Sequence, residues 1–360
     1  MGQMIYSIFV IFLVATLLAV TILPITDSKL WWIRAMDFPR LQLIVIAAVI
    51  AVLCWWLTGW AQIIALAIVL GCGLFQAWYV YPFSPLGRKE IRLAPDGPDQ
   101  IKLLASNVLM ENEEYQKVRN LIEREDPDIL FLMETDQKWL DAMEPALTGY
   151  GTVIREPRDN YYGLIFATRL PVTDARVVYI ADNETPTLFA EMRGPEGKTF
   201  RFVGLHPKPP VPGEDTEERD AQIAYVARFA RKSDVPVVIM GDFNDAAWGH
   251  LAQRFKSVGQ YLDPRLGRGP LPSFDANAWL MRFPIDQLYI TEDMALVDYD
   301  RGPNIGSDHF PMIARIRVDR ELAATLNSKP KPLPAAEKKL IEAQLLNYTK
   351  ARKIDPLGNF

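Results

Sequence analysis

A series of polar residues in this chain each stand beside an apolar run, and their types point to one kind of chemistry. Asn107 ends LLASN, Glu134 ends ILFLME, and His206 follows FVGL. Asp242 and Asn244 close VVIMGDFN, Asp286 opens DQLYI, and Asp308-His309 stand in GSDHFP. Each apolar run reads as a buried strand, so each polar group is placed at a strand tip. Carboxylates, amides and imidazoles gathered in one cleft are what metal-assisted attack on a phosphate ester requires.

Spacing refines these readings. Asp242 and Asn244 flank Phe243, and alternation along an extended chain puts both on one side, where they can face the same phosphate. Gly241 would relieve crowding at that turn. Asp308 and His309 are neighbours on a strand and point apart, so Asp286 is the better partner to orient the His309 ring. Asp308 is then left to reach a metal. His206 supplies a second imidazole, to protonate a leaving oxygen or to hold phosphoryl charge. His250, on an expected helix, keeps a structural reading among the chain's three histidines.

The elements that must position these groups alternate along residues 101–320. Strands are expected at 101–106, 128–133, 163–168, 175–180, 199–205, 236–240, 286–291 and 311–318. Helices are expected at 113–125, 136–146, 216–232 and 246–256. This is an α/β pattern with much antiparallel pairing. Residues 82–100 are rich in Pro, Gly and charge and read as a linker. Residues 321–360 read as a Pro-rich spacer followed by a basic amphipathic helix over 335–353, with Leu340, Ile341, Leu345 and Tyr348 on one face. That helix suits either docking on the domain or lying on anionic lipid.

Residues 1–81 differ in kind. Tyr6–Pro24, Leu41–Gly59 and Ala61–Tyr81 are apolar runs of the length a bilayer needs, about 20 residues. Trp31, Trp32, Trp55, Trp56, Trp60 and Trp78 sit near their ends, as an interfacial belt would. Three transmembrane helices are therefore expected, and with them an integral membrane protein whose partner is the lipid bilayer. A cleaved signal peptide is disfavoured because no charged stretch precedes the first run and two more follow. The Lys/Arg residues flanking the runs favour a cytoplasmic domain, with the extracytoplasmic side as the alternative. Cys54 and Cys72 lie inside apolar runs, so no disulfide framework is expected.

Charge narrows the partner. The whole chain carries 39 Lys/Arg and 44 Asp/Glu. Setting aside six and five of these in residues 1–99, and seven and four in 321–360, residues 100–320 hold 26 basic and 35 acidic groups. Affinity for long nucleic acid rests largely on phosphate neutralisation by Lys/Arg, so a region this acidic is a poor partner for it, although a local basic groove stays open.

The ordered set SNV, METD, LHP, GDFND, PIDQLY and GSDHFP resembles the endonuclease/exonuclease/phosphatase family, DNase-I-like metal-dependent phosphoesterases, over residues 101–318. The resemblance implies a four-layer αββα sandwich with its site at one edge of two sheets. It implies that Glu134 is the principal ligand of Mg2+ or Mn2+, supported by Asn107 and Asp308. It gives Asp242 the attacking water or its alignment, and Asn244 a hydrogen bond to a phosphoryl oxygen. Asn160 or Tyr162, in NYYG, stands where the family carries a substrate-binding Tyr or Asn. One departure is Leu109, where DNA-repair members commonly have an acid. The LHP motif instead resembles members that use a histidine pair. The expected activity is phosphodiester hydrolysis at a membrane, on a phospholipid head group or small phosphodiester. A membrane-anchored nuclease acting on DNA or RNA is the alternative, and a catalytically inactive membrane binding module the second.

Overall fold

The computed structural model of the chain describes residues 1–333 and 339, apart from 27, 181, 211 and 213–216. The expected helix over 335–353 lies outside the described residues.

The N-terminal region is a helical bundle. Helix α1 is Gly2–Ile22, α2 the short Trp31–Ala35, α3 Arg40–Cys54 and α4 Gly59–Val80. Val10, Val14 and Leu17 of α1 meet Leu43 and Ala47 of α3 and Val69 of α4. The Tyr6 hydroxyl donates to the Leu53 carbonyl at 2.6 Å, so the N-terminus lies at the same end as the α3–α4 turn. The outward face is apolar too: Phe9, Phe12, Val45, Val49, Ile64 and Leu70 are exposed.

Two of these helices, extended to Gly2–Ile25 and Gly59–Phe83, are long and apolar enough to cross a membrane, where three spans were expected. The middle run breaks early. At about 1.5 Å per residue, the 15 residues of α3 cover about 22 Å, short of a hydrocarbon core of about 30 Å. The chain reverses at Trp55–Thr58, and because Trp55, Trp56 and Leu57 are apolar the composition conceals the turn.

The expected linker is held against the domain that follows. Ile91 is buried in its core, Glu90 pairs with Lys256 at 2.6 Å, and the Ala94 N–H donates to the Leu296 carbonyl at 2.7 Å. After it come β1 (Gln100–Asn107), α5 (Tyr115–Glu125), β2 (Ile129–Met133), α6 (Gln137–Leu147), β3 (Thr152–Glu156), β4 (Leu164–Thr168), β5 (Val172–Tyr179), β6 (Pro186–Arg193) and β7 (Thr199–Gly204). Then follow α7 (Glu217–Lys232), β8 (Val237–Asp242), α8 (His250–Gly259), β9 (Asp286–Ile290), β10 (Ala295–Arg301), β11 (Met312–Arg317) and α9 (Arg320–Leu326).

Two sheets form, ordered β10-β11-β1-β2-β4-β3 and β5-β6-β7-β8-β9. The pairs β1–β2 and β7–β8 are parallel, which requires a crossover, and α5 and α7 provide it. All other pairs are antiparallel. Alternate residues of β2 explain the layering: Phe131 and Met133 enter the core between the sheets, while Leu130 and Leu132 pack on the layer holding Val118 of α5 and Trp139 and Met143 of α6. On the second sheet, Val203 and Ile239 pack against Ile223 and Val226 of α7 and Phe255 of α8. With both faces covered, β2, β4, β8 and β9 are buried at every position, which is why β2, β4 and most of β8 read as apolar runs, while β9 opens on the buried polar pair Asp286-Gln287. The result is an α/β sandwich of two mixed sheets between helical layers.

Beyond residue 100, three strands and one helix were not expected. β3 and β10 are edge strands with polar, partly exposed positions. β6 opens on Pro186 and carries Glu191 and Arg193. Short α9 extends the fold past residue 318, where Asn327 donates to the carbonyls of Glu292 and Met294.

Phe131 tests the inter-sheet core. It meets the Phe202 ring edge to face and lies against Gly204, where an added Cβ would crowd its ring. Phe131→Ala should cost about 3–5 kcal/mol, read as a fall in the unfolding midpoint.

Candidate functional site

Strand direction gathers the polar tips. β1, β2 and β8 end at Asn107, Met133 and Asp242, and the start of β9 places Asp286 directly opposite Asp242 in the antiparallel pair. The loop before β11 brings in His309. Asn107 is fully buried, and its amide nitrogen donates to Glu134 Oε1 at 2.7 Å and to Asp242 Oδ2 at 3.2 Å. Its oxygen accepts from the Leu109 N–H at 3.1 Å. One neutral side chain thus holds a carboxylate of each sheet.

Asp242 is the hub of the second sheet. Its Oδ2 lies 3.6 Å from His309 Nε2 and 3.7 Å from His206 Nε2. Its Oδ1 accepts the Asn244 N–H at 2.8 Å, while the Asn244 amide donates to the Pro207 carbonyl at 2.9 Å. At Gly241 an added Cβ would overlap the Leu205 carbonyl oxygen, so only glycine lets the adjoining strands close to this distance.

His309 Nδ1 and Asp286 Oδ2 are 2.7 Å apart, both buried. Ser307 holds this loop in place by donating to the Asn107 carbonyl at 2.9 Å and accepting the His309 N–H at 2.9 Å. The Phe274 ring packs on the His309 ring with centroids 4.9 Å apart. Ser273 accepts the Asp286 N–H at 3.0 Å. The sequence carried no signal for Ser273 or Phe274, which lie in a patternless loop.

The two imidazoles have opposite charge preferences. Burial works against a charged His309, but Asp286 and Asp242 outweigh it and raise its pKa to about 10, so it is an imidazolium at neutral pH. Burial also dominates at His206, where Asp242 compensates only in part, and its pKa falls to about 4. His206 is therefore neutral, and its Nδ1 is buried without a hydrogen-bond partner. Burial likewise pushes Glu134 up to about 7, with Asp242 and Asp308 adding to the rise against the Asn107 hydrogen bond and His309. Asp242 and Asp308 are raised as well, chiefly by burial.

Several buried carboxylates competing for protons form a site that a divalent cation would relieve. Ligand atoms of Asp242, Asp286 and His309 lie within 4.8 Å of one another. A cation among those three would have to displace the proton between His309 and Asp286. The carboxylates of Glu134 and Asp308 are oxygen donors of the kind a hard cation prefers, and binding there breaks no imidazolium pair, although Glu134 gives up its proton below about pH 7 and the Asn107 oxygen already accepts the Leu109 N–H. Asp308, half-buried, shares no hydrogen bond with Glu134 or Asn107 among the described residues and couples to Glu134 through space.

The structure brings Asn107, Glu134, His206, Asp242, Asn244, Asp286 and His309 into one cluster. Tyr162 adjoins it, its ring centroid 5.4 Å from that of His206. Asn160 turns inward on its own loop, its oxygen accepting the Tyr162 N–H at 3.2 Å. Leu109 has a positive φ of 59° and directs its carbonyl to the Trp139 indole at 3.2 Å. Unexpectedly, Glu111 contacts the Tyr161 hydroxyl, and Tyr161 lies near enough to Glu134 to feel its charge.

A sequence profile of the endonuclease/exonuclease/phosphatase family matches residues 104–309. Members of that family are generally divalent-metal-dependent hydrolases. Comparison with curated protein sequences gives no match. Among solved structures, D. rerio TDP2 complexed with single-strand DNA product is similar, with 14% identity and a TM-score of 0.52 over 61% of this chain and 99% of that one. The human Nocturnin catalytic domain with bound sulfate is 17% identical, with a TM-score of 0.50 over 64% and 99%. At these identities the likeness is one of fold.

Two measurements check the electrostatics. In histidine-labelled protein, NMR titration should find His206 neutral down to about pH 4, and Asp286→Asn should bring His309 down from about 10 by about one to three pH units. Because Glu134 holds its proton below about pH 7, Mg2+ must displace that proton there. Affinity by calorimetry should fall about tenfold per pH unit below 7 and level off above it.

Proposed function

The chain belongs to the endonuclease/exonuclease/phosphatase family, and from that membership we propose that it is a divalent-metal-dependent phosphodiesterase at a membrane, in which water attacks a phosphodiester in line. The observation that carries this reading is the buried Asn107 amide joining Glu134 to Asp242, with His309 set between Asp242 and Asp286.

Glu134, with Asn107 and Asp308, would hold Mg2+ or Mn2+. Bound there, the cation neutralises phosphate and leaving-oxygen charge. The remaining work falls to the protein. Asp242, a buried carboxylate with a raised pKa, accepts the proton of the attacking water. The charged state of His309 assigns it to hold phosphoryl oxygen charge rather than to act as base. Neutral His206, with Nε2 3.7 Å from Asp242, is placed to hydrogen-bond a phosphoryl or leaving oxygen. Asn244 has a second amide hydrogen for a phosphoryl oxygen. Tyr162 and Asn160 border the substrate.

Membrane placement is supported by the exposed apolar surface of the bundle. Trp60 and Trp78 of α4, both largely exposed, are 18 positions apart, or about 27 Å, close to the thickness of a hydrocarbon core. The loop before α3 and the catalytic domain share one end. Lys29, Arg88, Lys89 and Arg92 there favour the cytoplasmic side, while Arg34 and Arg40 are buried and count for less. A membrane-proximal site on an acidic domain, with Leu109 in place of an acid, favours a phospholipid head group or small phosphodiester. A nuclease is the second reading, favoured by the fold shared with TDP2 bound to a DNA product. The full cluster weighs against an inactive binding module.

The test is hydrolysis by the full chain of bis-phosphate esters, phospholipids, and DNA and RNA with Mg2+. Activity should vanish with chelator and fall more than tenfold in His309→Ala. Cleavage of nucleic acid alone would select the nuclease reading, and silence on every substrate would sink both.

A further inference from the structure

A groove of about 740 Å3 lies between the start of α3 and the loop leading into β9, and no residue of the catalytic cluster lines it. Its walls are Leu41, Gln42 and Val45 of α3, and Leu271, Trp279 and Leu280 of the loop, with Arg282 and Arg301 at its polar side. Gln42 closes one end by donating to the Leu280 carbonyl at 2.7 Å. The volume suits an organic ligand.

Both arginines face Phe310, with Cζ 5.1 Å from its ring centroid for Arg282 and 4.2 Å for Arg301. Arg282 is held by the carbonyls of Asp275, Ala276 and Ala278 through Nε and Nη2, and Arg301 by the Pro272 carbonyl through Nη1. Neither forms an ion pair with a carboxylate among the described residues. Asp300 also lines the groove, but its Oδ1 accepts the Arg301 backbone N–H at 2.7 Å. Burial, followed by the charge of Arg282, lowers the pKa of Arg301, and Asp300 offsets this only in part. Meanwhile Trp279 is 81% exposed and Leu280 68%. The apolar wall continues without a break into the exposed Val45, Ile46, Val49 and Val52 of α3.

We propose that this groove binds an anionic glycerophospholipid, with its phosphate on Arg282 and Arg301 and an acyl chain along Leu41, Val45, Trp279 and Leu280. Two features argue for a lipid over a soluble phosphate ester. The apolar wall is the surface of a helix in the apolar bundle, and the only cations in the lining stand at the end where that surface meets the polar domain. Trp279, exposed beside that surface, would stand at the interface in the manner typical of tryptophan. The site goes beyond the hydrolytic reading, since none of its residues belongs to the catalytic cluster.

The experiment uses the full chain in nanodiscs of phosphatidylcholine with phosphatidylglycerol, with bound lipid counted by native mass spectrometry. The wild type should retain phosphatidylglycerol over phosphatidylcholine by at least tenfold. Arg282→Gln/Arg301→Gln should abolish the preference, and Arg282→Lys/Arg301→Lys should keep most of it. Val45→Trp, which fills the groove from an exposed position without touching either arginine, should displace the lipid and decides the matter if the Gln pair does not fold. Equal retention of both lipids by the wild type, or a preference surviving in Val45→Trp, would overturn the proposal. So would displacement of the lipid by water-soluble glycerophosphoglycerol at matched concentration, since the apolar wall would then contribute nothing.

Discussion

Two sheets packed face to face are held apart by side chains, normally apolar ones. At one edge of this sandwich the filler is an amide. Asn107 reaches out of the first sheet, holds Glu134 beside it, and hydrogen-bonds Asp242 on the second. Its own oxygen is satisfied by the Leu109 backbone. A buried amide with every group paired is stable, and one that has lost a partner is not. Relative placement of the sheets is therefore coupled to placement of the two carboxylates. If either sheet shifts, Glu134 and Asp242 are drawn apart.

Around that link, identical side chains are given different charges by their surroundings. His309 touches Asp286 and lies near Asp242, and that company overrides its burial. His206 has only Asp242 nearby, at 3.7 Å, and also faces the positive His309. The outcome is one charged and one neutral imidazole flanking a single carboxylate. Pushing equivalent groups apart in pKa is how a fold assigns donors and acceptors without changing residue type.

Much of this was legible in the chain. Strands β2, β4 and β8 are covered on both faces, so burial wrote near-continuous apolar runs, and a polar residue at or just past a tip, buried as it is, stood out against them. Alternation set Asp308 aside as the partner of His309, and Asp286, at the tip of another strand, was the better candidate, as the 2.7 Å contact has it. Edge strands β3 and β10 were illegible because half their side chains meet water. Ser273 and Phe274 act through a loop whose shape no periodicity encodes. The end of α3 was hidden because Trp55, Trp56 and Leu57 turn the chain while remaining apolar. Local sequence also could not separate Arg34 and Arg40, buried at the seam, from surface cations that would report on sidedness.

That seam has a mechanical corollary. α4 runs directly into Tyr81–Phe83, and Phe83 and Val80 pack with Trp248 and Ala247, only a few residues beyond Asn244. The Trp248 indole donates to the Asp37 carbonyl at 3.0 Å, and Asp37 pairs with Arg40 at the base of α3. Such a joint is built of packed and paired side chains rather than of a free linker. If the bundle stands in a bilayer, the catalytic cleft rides at one altitude above it, like a stylus on a rigid arm. Encounters would then be set by lateral diffusion in two dimensions, and reach into the surrounding solution would be forfeited.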